Sequence, residues 1–164
     1  MKIAVISDIH GNMAYLAKTK SIIDTEKIKT VICCGDIQSE DVFLELDSWK
    51  QKVYLALGNV DKDLEQKLES GLLYPEKLEY FKDFGVLNLE KKKIAFTHYD
   101  FYAKKLATED KYDIVFYGHT HTPWEEKIGS TVLLNPGEIG AHFGKPTFAI
   151  YNLEETKAKL ILLS

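Results

Sequence analysis

Four of the chain's five histidines, together with several carboxylates and an asparagine, stand directly after short apolar runs. "KIAVIS" is followed by "DIHGN", which gives Asp8 and His10. "TVICCG" leads to Asp36, "KVYLALG" to Asn59 and Asp61, "KIAFT" to His98, and "DIVFYG" to His119 and His121. If each run is a strand of an α/β sheet, these residues meet beyond the carboxyl ends of the strands, where such sheets bind ligands. Carboxylate and amide oxygen with imidazole nitrogen, and no thiolate, suits manganese, iron, nickel, cobalt or zinc. Asp8, His10, Asp36, Asn59, His98, His119 and His121 are too many for one ion with open positions. Two ions sharing a carboxylate would use them all. Taken singly, each has an ordinary explanation. D-x-H can be a turn aspartate and a surface histidine, GD is common in turns, and Asn59 could occupy a left-handed turn position. His98 could be a satisfied histidine, and paired histidines can flank a strand end without metal. In this order and spacing, chance is below roughly one in ten.

The elements that must position these groups alternate through the first half. Strands are expected over 2–7, 30–35 and 52–58. Helices are expected over 12–27 and 39–50, capped by Asn12 and Ser39. Alternation at this spacing implies parallel strands joined by right-handed crossovers. Residues 62–82 are charged and read as mostly helical. After them "FGVLNLEKKKIAFTH" reads as two strands around a lysine-rich turn, followed by a short helix over 101–109. "EEKIGSTVLLNPG" and "PTFAIYNLEETKAKLILL" read as hairpin-like pairs. A mixed-sheet α/β domain follows, with two packed sheets and helices outside.

Composition narrows the function. At 164 residues with 45% hydrophobic and 28% charged side chains, the chain has the balance of one soluble domain, residues 1–164. No apolar stretch approaches the ~20 residues of a membrane span, and the amino terminus reads as a first strand rather than a signal peptide. The net charge is −4 and every basic residue is lysine, which argues against duplex nucleic acid and removes any arginine clamp on phosphate. Cys33 and Cys34 are adjacent, so they point to opposite faces of a strand and read as buried reduced thiols. A cytoplasmic location is expected from them.

The series D-x-H, GD, GN-x-D, H and G-H-x-H resembles the calcineurin-like metallophosphoesterase superfamily. The short chain and "NPGE" at 135–138 resemble its small single-domain phosphodiesterase branch. The resemblance implies a four-layer α/β/β/α sandwich with two mixed sheets. It also implies one divalent ion held by Asp8, His10, Asp36 and His121. A second would be held by Asp36, Asn59, His98 and His119, with Asp36 as bridge. Manganese is the first expectation for both ions, and nickel, iron, cobalt or zinc are the alternatives. The implied reaction is hydrolysis of a small phosphodiester or nucleotide-type substrate by a metal-activated hydroxide. Asp36, Asn59, His98 and His119 would carry the chemistry, and Asn59 and Asn12 would contact the substrate. Asn12 serves equally well as a helix cap. A phosphomonoesterase, or a non-catalytic metal-binding scaffold of the same fold, is the alternative. A monomer or small homo-oligomer is expected.

Two departures stand out. Val60 occupies the position where many members carry a histidine that protonates the leaving group, so the site should favour activated leaving groups or borrow an acid from elsewhere. Asp61, which would orient that histidine, is left without an evident role. His142 is the one histidine outside the series, and a surface or hairpin position is expected for it. "THYD" replaces the commoner T-H-G-H. Tyr99 could narrow the mouth, stack on a base or aryl group, or simply pack, and Asp100 reads as a second-layer acceptor or, in preference, as the cap of the following helix. Glu138 has no assignable role.

Overall fold

The computed structural model describes residues 1–164. In chain order its elements are β1 (Lys2–Ile6), α1 (Met13–Thr25), β2 (Thr30–Cys33), α2 (Glu40–Ser48), β3 (Lys52–Ala56), α3 (Lys62–Glu69), β4 (Glu79–Phe81) and β5 (Phe84–Leu89). They continue with β6 (Lys92–Thr97), α4 (Asp100–Thr108), β7 (Ile114–Phe116), β8 (Trp124–Ile128), β9 (Thr131–Asn135), β10 (Thr147–Asn152) and β11 (Lys157–Leu162). One sheet has the order β11-β10-β1-β2-β3-β4 and the other β5-β6-β7-β9-β8. β1 to β4 run parallel, as do β6, β7 and β9, and antiparallel strands close the remaining edges.

Side-chain alternation along each strand divides the core into layers. Ile3, Val5, Ile32 and Cys34 from one sheet meet Ile94, Phe96, Ile114 and Phe116 from the other. On the outer face of the first sheet, Ala4, Ile6, Cys33 and Leu55 pack under Leu16, Ile23, Phe43 and Leu46 of α1 and α2. On the outer face of the second, Ala95, Val115 and Leu133 pack under Ala103 and Leu106 of α4. The expected α/β/β/α sandwich is what forms. Cys33 and Cys34 lie in different layers, both buried and unbridged.

Local chemistry sets the boundaries. Ser39 Oγ accepts from Val42 N, and Asn12 Oδ1 accepts from Tyr15 N, as their cap positions require. The β5–β6 turn places Glu90 and Lys91 at φ 49° and 62°, the handedness that two-residue hairpins need. Two expectations are corrected. Residues 62–82 are not mostly helical. α3 stops at Glu69, where Gly71 turns left-handed and a double C-terminal cap forms, Leu72 N to Lys67 O and Gly71 N to Leu68 O. Residues 79–81 then pair in parallel with β3 as an edge strand. Asp100 is the first residue of α4 rather than its cap, which falls on Tyr99 without a side-chain bond; a carboxylate there favours the helix amino terminus through its dipole.

Candidate metal centre

The loops leaving β1 and β2 run side by side, with Asp8 N on Gly35 O, His10 N on Asp36 O and Gly11 N on Ile37 O. Gly140 N on Asp8 O ties in the loop after β9. Asp61 clamps the loops after β2 and β3, accepting from Gln38 N and Gly58 N at 2.8 Å each. It therefore has a structural use without the histidine it might have oriented. Within this frame Asp8, His10, Asp36, His119 and His121 all have φ between 48° and 70°. Left-handed backbone costs a side-chain-bearing residue roughly 1–2 kcal/mol, and such strain clusters at functional sites. Asn59 is not among the left-handed residues, so its position is not explained by turn geometry.

The series converges as two halves. Asp8, His10, Asp36 and His121 each offer a ligand atom, all within 4.8 Å of one another. His10 Nε2 lies 3.3 Å from His121 Nε2 and 3.8 Å from Asp36 Oδ2, and His121 Nε2 lies 3.3 Å from Asp8 Oδ1. In the other half His98 Nε2 lies 3.0 Å from Asn59 Oδ1, 3.1 Å from His119 Nδ1 and 3.4 Å from Asp36 Oδ1. Each oxygen of Asp36 faces one half. Asn59 and His119 are exposed, so the second half opens to solvent while Asp8, Asp36 and His98 are buried.

Two hydrogen bonds decide where the imidazole protons sit. His98 Nδ1 is 2.7 Å from the Cys34 carbonyl, and His121 Nδ1 is 2.8 Å from Glu138 Oε2. Carbonyl and carboxylate oxygens accept, so Nδ1 carries the proton in each ring and Nε2 presents a bare lone pair inward. Burial pushes His98 down to about 4, so it is neutral near pH 7. Burial also lowers His10, against the pull of the Asp36 carboxylate, and raises Asp8 to about 7. Lone pairs of His98, Asn59 and Asp36 thus point at one another without a proton among them. Such an arrangement repels itself unless a cation lies at its centre, and the oxygen and nitrogen donors fit a divalent transition ion.

Glu138 is the group that sequence reasoning left unassigned. It is fully buried and accepts from His121 Nδ1 and from the backbone N–H groups of His142, Phe143 and Gly144. Burial alone would raise its carboxyl; these hydrogen bonds, that of His121 foremost, overcome it and hold the group below the ordinary range. Its signal was present, because "TVLLNPGE" is a sixth apolar run ending in a ligand-type residue. His142 is exposed, as expected, yet its ring stacks on His10 with centroids 4.7 Å apart. Tyr99 packs edge-on to His98 and His119, 5.1 and 5.4 Å away. Asn12 spends both ends of its amide within the chain, on Tyr15 N and Gly140 O, so the cap accounts for it. Val60 donates its backbone N–H to Asp36 Oδ1 and offers no side-chain proton.

Comparison with known proteins places these features in context. The model of the calcineurin-like phosphoesterase superfamily domain matches residues 1–156. The phosphodiesterase MJ0936 of Methanocaldococcus jannaschii is 30% identical over 99% of both chains. The phosphodiesterase YfcE of Escherichia coli is 26% identical over 85% of this chain and 79% of its own. Among solved structures, an archaeal phosphodiesterase superposes with a TM-score of 0.83 at 27% identity, covering 99% of this chain and all of the other.

Proposed function

Because the chain belongs to the calcineurin-like phosphoesterase superfamily and to its small phosphodiesterase branch, we propose that it is a metal-dependent hydrolase cleaving small phosphodiesters at a dinuclear centre. The observation that carries this reading is the double set of inward lone pairs shared across Asp36. One ion would sit among Asp8, His10, Asp36 and His121, and the other among Asp36, Asn59, His98 and His119. When bound, two divalent ions supply Lewis-acid activation of water and neutralise charge on the phosphoryl oxygens. The Cys34 carbonyl and Glu138 hold His98 and His121 in the tautomers that present Nε2. Asn59, exposed at the open half, would donate its amide N–H to a phosphoryl oxygen, and Asn12 remains with α1. The same reading takes residues 1–164 as one domain. It expects a cytoplasmic monomer or small homo-oligomer and manganese as the native ion. No helix is long and apolar enough to cross a membrane, and both cysteines are unbridged.

The test strips the protein of metal and restores Mn²⁺, Ni²⁺, Zn²⁺ or Mg²⁺ singly, with an activated phosphodiester and its monoester as substrates. Metal-restored turnover, stronger on the diester, supports the reading. Preference for the monoester would favour a phosphatase, and metal uptake without turnover a scaffold.

Metal should also stabilise the fold, more so at higher pH. The folded value of Asp8 is raised, so its contribution is full below pH ~4 and is lost as pH rises through about 7, when a buried charge forms. His98 works in the other direction at lower pH. Its folded value is depressed, so stability falls as pH drops from ~6.5 toward about 4. At a hundredfold excess over Kd, a single ion adds ~2.7 kcal/mol, or ~5–10 °C in Tm for a chain of this size. Scanning calorimetry at pH 5.5 and pH 8 should find the larger metal-induced rise at pH 8. An equal or smaller rise there would contradict the placement of Asp8 at the centre.

Val60 supplies no side-chain proton to the leaving oxygen. Val60→His should speed hydrolysis of alkyl diesters by ~10²-fold, the lower end of what a general acid supplies, with a much smaller effect on 4-nitrophenyl esters. Equal effects on both ester classes would show that another group already donates the proton.

A further inference from the structure

The metal ligands leave unexplained four aromatic side chains that stand around them. Phe143 is 83% exposed and lies edge-on to His121 with ring centroids 4.9 Å apart, and His142 stacks on His10 beside it. Phe101 is 68% exposed and stands 5.4 Å from Tyr99, which touches His98 and His119. His142 and Phe143 thus border the half built on His10 and His121, while Tyr99 and Phe101 border the half built on His98 and His119.

Neither border is an accident of loop drift. Phe101 is fixed in the first turn of α4. Phe143 is held by a fully buried carboxylate, since Glu138 accepts the backbone N–H groups of residues 142, 143 and 144 at 2.9, 2.7 and 2.6 Å. The carboxylate that sets the His121 tautomer therefore also sets the height of the Phe143 loop. Exposing two phenyl rings to water is unfavourable, and here one stands beside the ligand His121 and the other beside Tyr99, which itself touches His98 and His119.

We propose that these borders are two aromatic subsites, each receiving one of the two ester groups of a phosphodiester, and that Phe143 and Phe101 select substrates with a flat aromatic or nucleobase group on both arms. A phosphodiester bound across the centre sends its two organic groups away from phosphorus in different directions, and a wall stands on each side. Aromatic rings pair offset-stacked or edge to face at ~4.5–7 Å, the separations already present between Phe143 and His121, Tyr99 and His119, and Phe101 and Tyr99. The subsites would make no use of base edges, so selection is for flatness rather than for one base. This inference rests on the phosphodiesterase reading and narrows it to a substrate class.

The experiment compares bis(4-nitrophenyl) phosphate with methyl 4-nitrophenyl phosphate on the metal-loaded protein. Both release 4-nitrophenolate, so they differ only in the group that stays. The wild type should favour the bis-aryl ester in kcat/KM, chiefly through KM. Phe143→Ala combined with Phe101→Ala should reduce the ratio of the two kcat/KM values by ~10-fold or more, and Phe143→Trp should keep it. Calorimetric titration with dibenzylphosphinate, in which carbon replaces both ester oxygens, reads the same subsites in wild type and variants without turnover. A ratio and a titration both unmoved by the double variant overturn the subsites while leaving the hydrolase intact. Absence of diester turnover in the wild type overturns the hydrolase, and the titration still decides the subsites. Circular dichroism and metal titration of each variant confirm that the fold and the centre survive.

Discussion

Asp36→Asn should remove metal-dependent turnover by ~10³-fold or more and abolish the metal-induced rise in Tm, while the metal-free protein stays folded. The isosteric amide keeps the acceptor for Val60 N at 3.1 Å, so the loop after β3 holds its place. It loses the charge that faces His10 Nε2 at 3.8 Å and His98 Nε2 at 3.4 Å. An uncharged residue between the two halves would hold a divalent ion poorly, and bound metal would supply several kcal/mol of transition-state stabilisation, each 1.36 kcal/mol being tenfold in rate. Stability of the metal-free chain should hold or rise slightly. Asp36 is one of the charges that raise Asp8, after burial itself, and removing it relieves that repulsion. Calorimetry with and without Mn²⁺, beside an assay on an activated diester, checks both parts. Turnover within tenfold of wild type would remove Asp36 from the centre.

Gly118→Ala should cost ~1–3 kcal/mol of stability, a fall of several degrees in Tm, and weaken metal binding as well. A Cβ at this position would overlap Ser7 Oγ and stand 2.7 Å from Asp8 Oδ2 and 2.9 Å from the Cys34 carbonyl. Ser7 and Cys34 are fully buried, and Ser7 Oγ already donates to the Cys34 carbonyl at 3.1 Å. The added methyl therefore has to displace Asp8 or the backbone that carries it. His119, the next residue, donates its N–H to both Asp8 oxygens at 3.1–3.2 Å and would move too. Gly129→Ala is the control. Its φ is 60° with no atom closer than 4.0 Å, so the cost should be strain alone, ~1–2 kcal/mol, with metal affinity retained. Equal losses of metal affinity in the two variants would show that global weakening, not contact with Asp8, is responsible.

Much of this is legible in the sequence. Ligand-type residues at the ends of β1, β2, β3, β6 and β7 announced one crevice, because parallel strands deliver their carboxyl ends to the same edge. The sandwich was legible from the switch between crossover units and hairpins. β4 was not. Three residues are too few to show a period, and Glu79–Phe81 becomes a strand only because β3 offers an open edge. The stop of α3 at Ser70 and Gly71 was missed because charged residues continue on both sides of it. Asp100 illustrates a limit of cap prediction, in which the dipole and the cap favour the same residue types one position apart. Glu138 stood at the end of an apolar run as the other polar groups did, yet its role was hidden for a different reason. Its partners His121 and His142 are 17 residues before it and four after, and no local pattern says that a loop will fold back onto a strand end.

Cys33 and Cys34 give the sandwich a pair of internal clocks. One thiol faces the helices and its neighbour faces the opposite sheet, and burial raises both far above the range where thiolate forms. An alkylating reagent therefore waits for each layer to open before it can react. Labelling at Cys33 counts departures of the helical layer, and labelling at Cys34 counts separations of the two sheets. Two rates that coincide mean the sandwich comes apart as one unit; a faster Cys33 means the helices peel first from a sheet pair that still holds the centre.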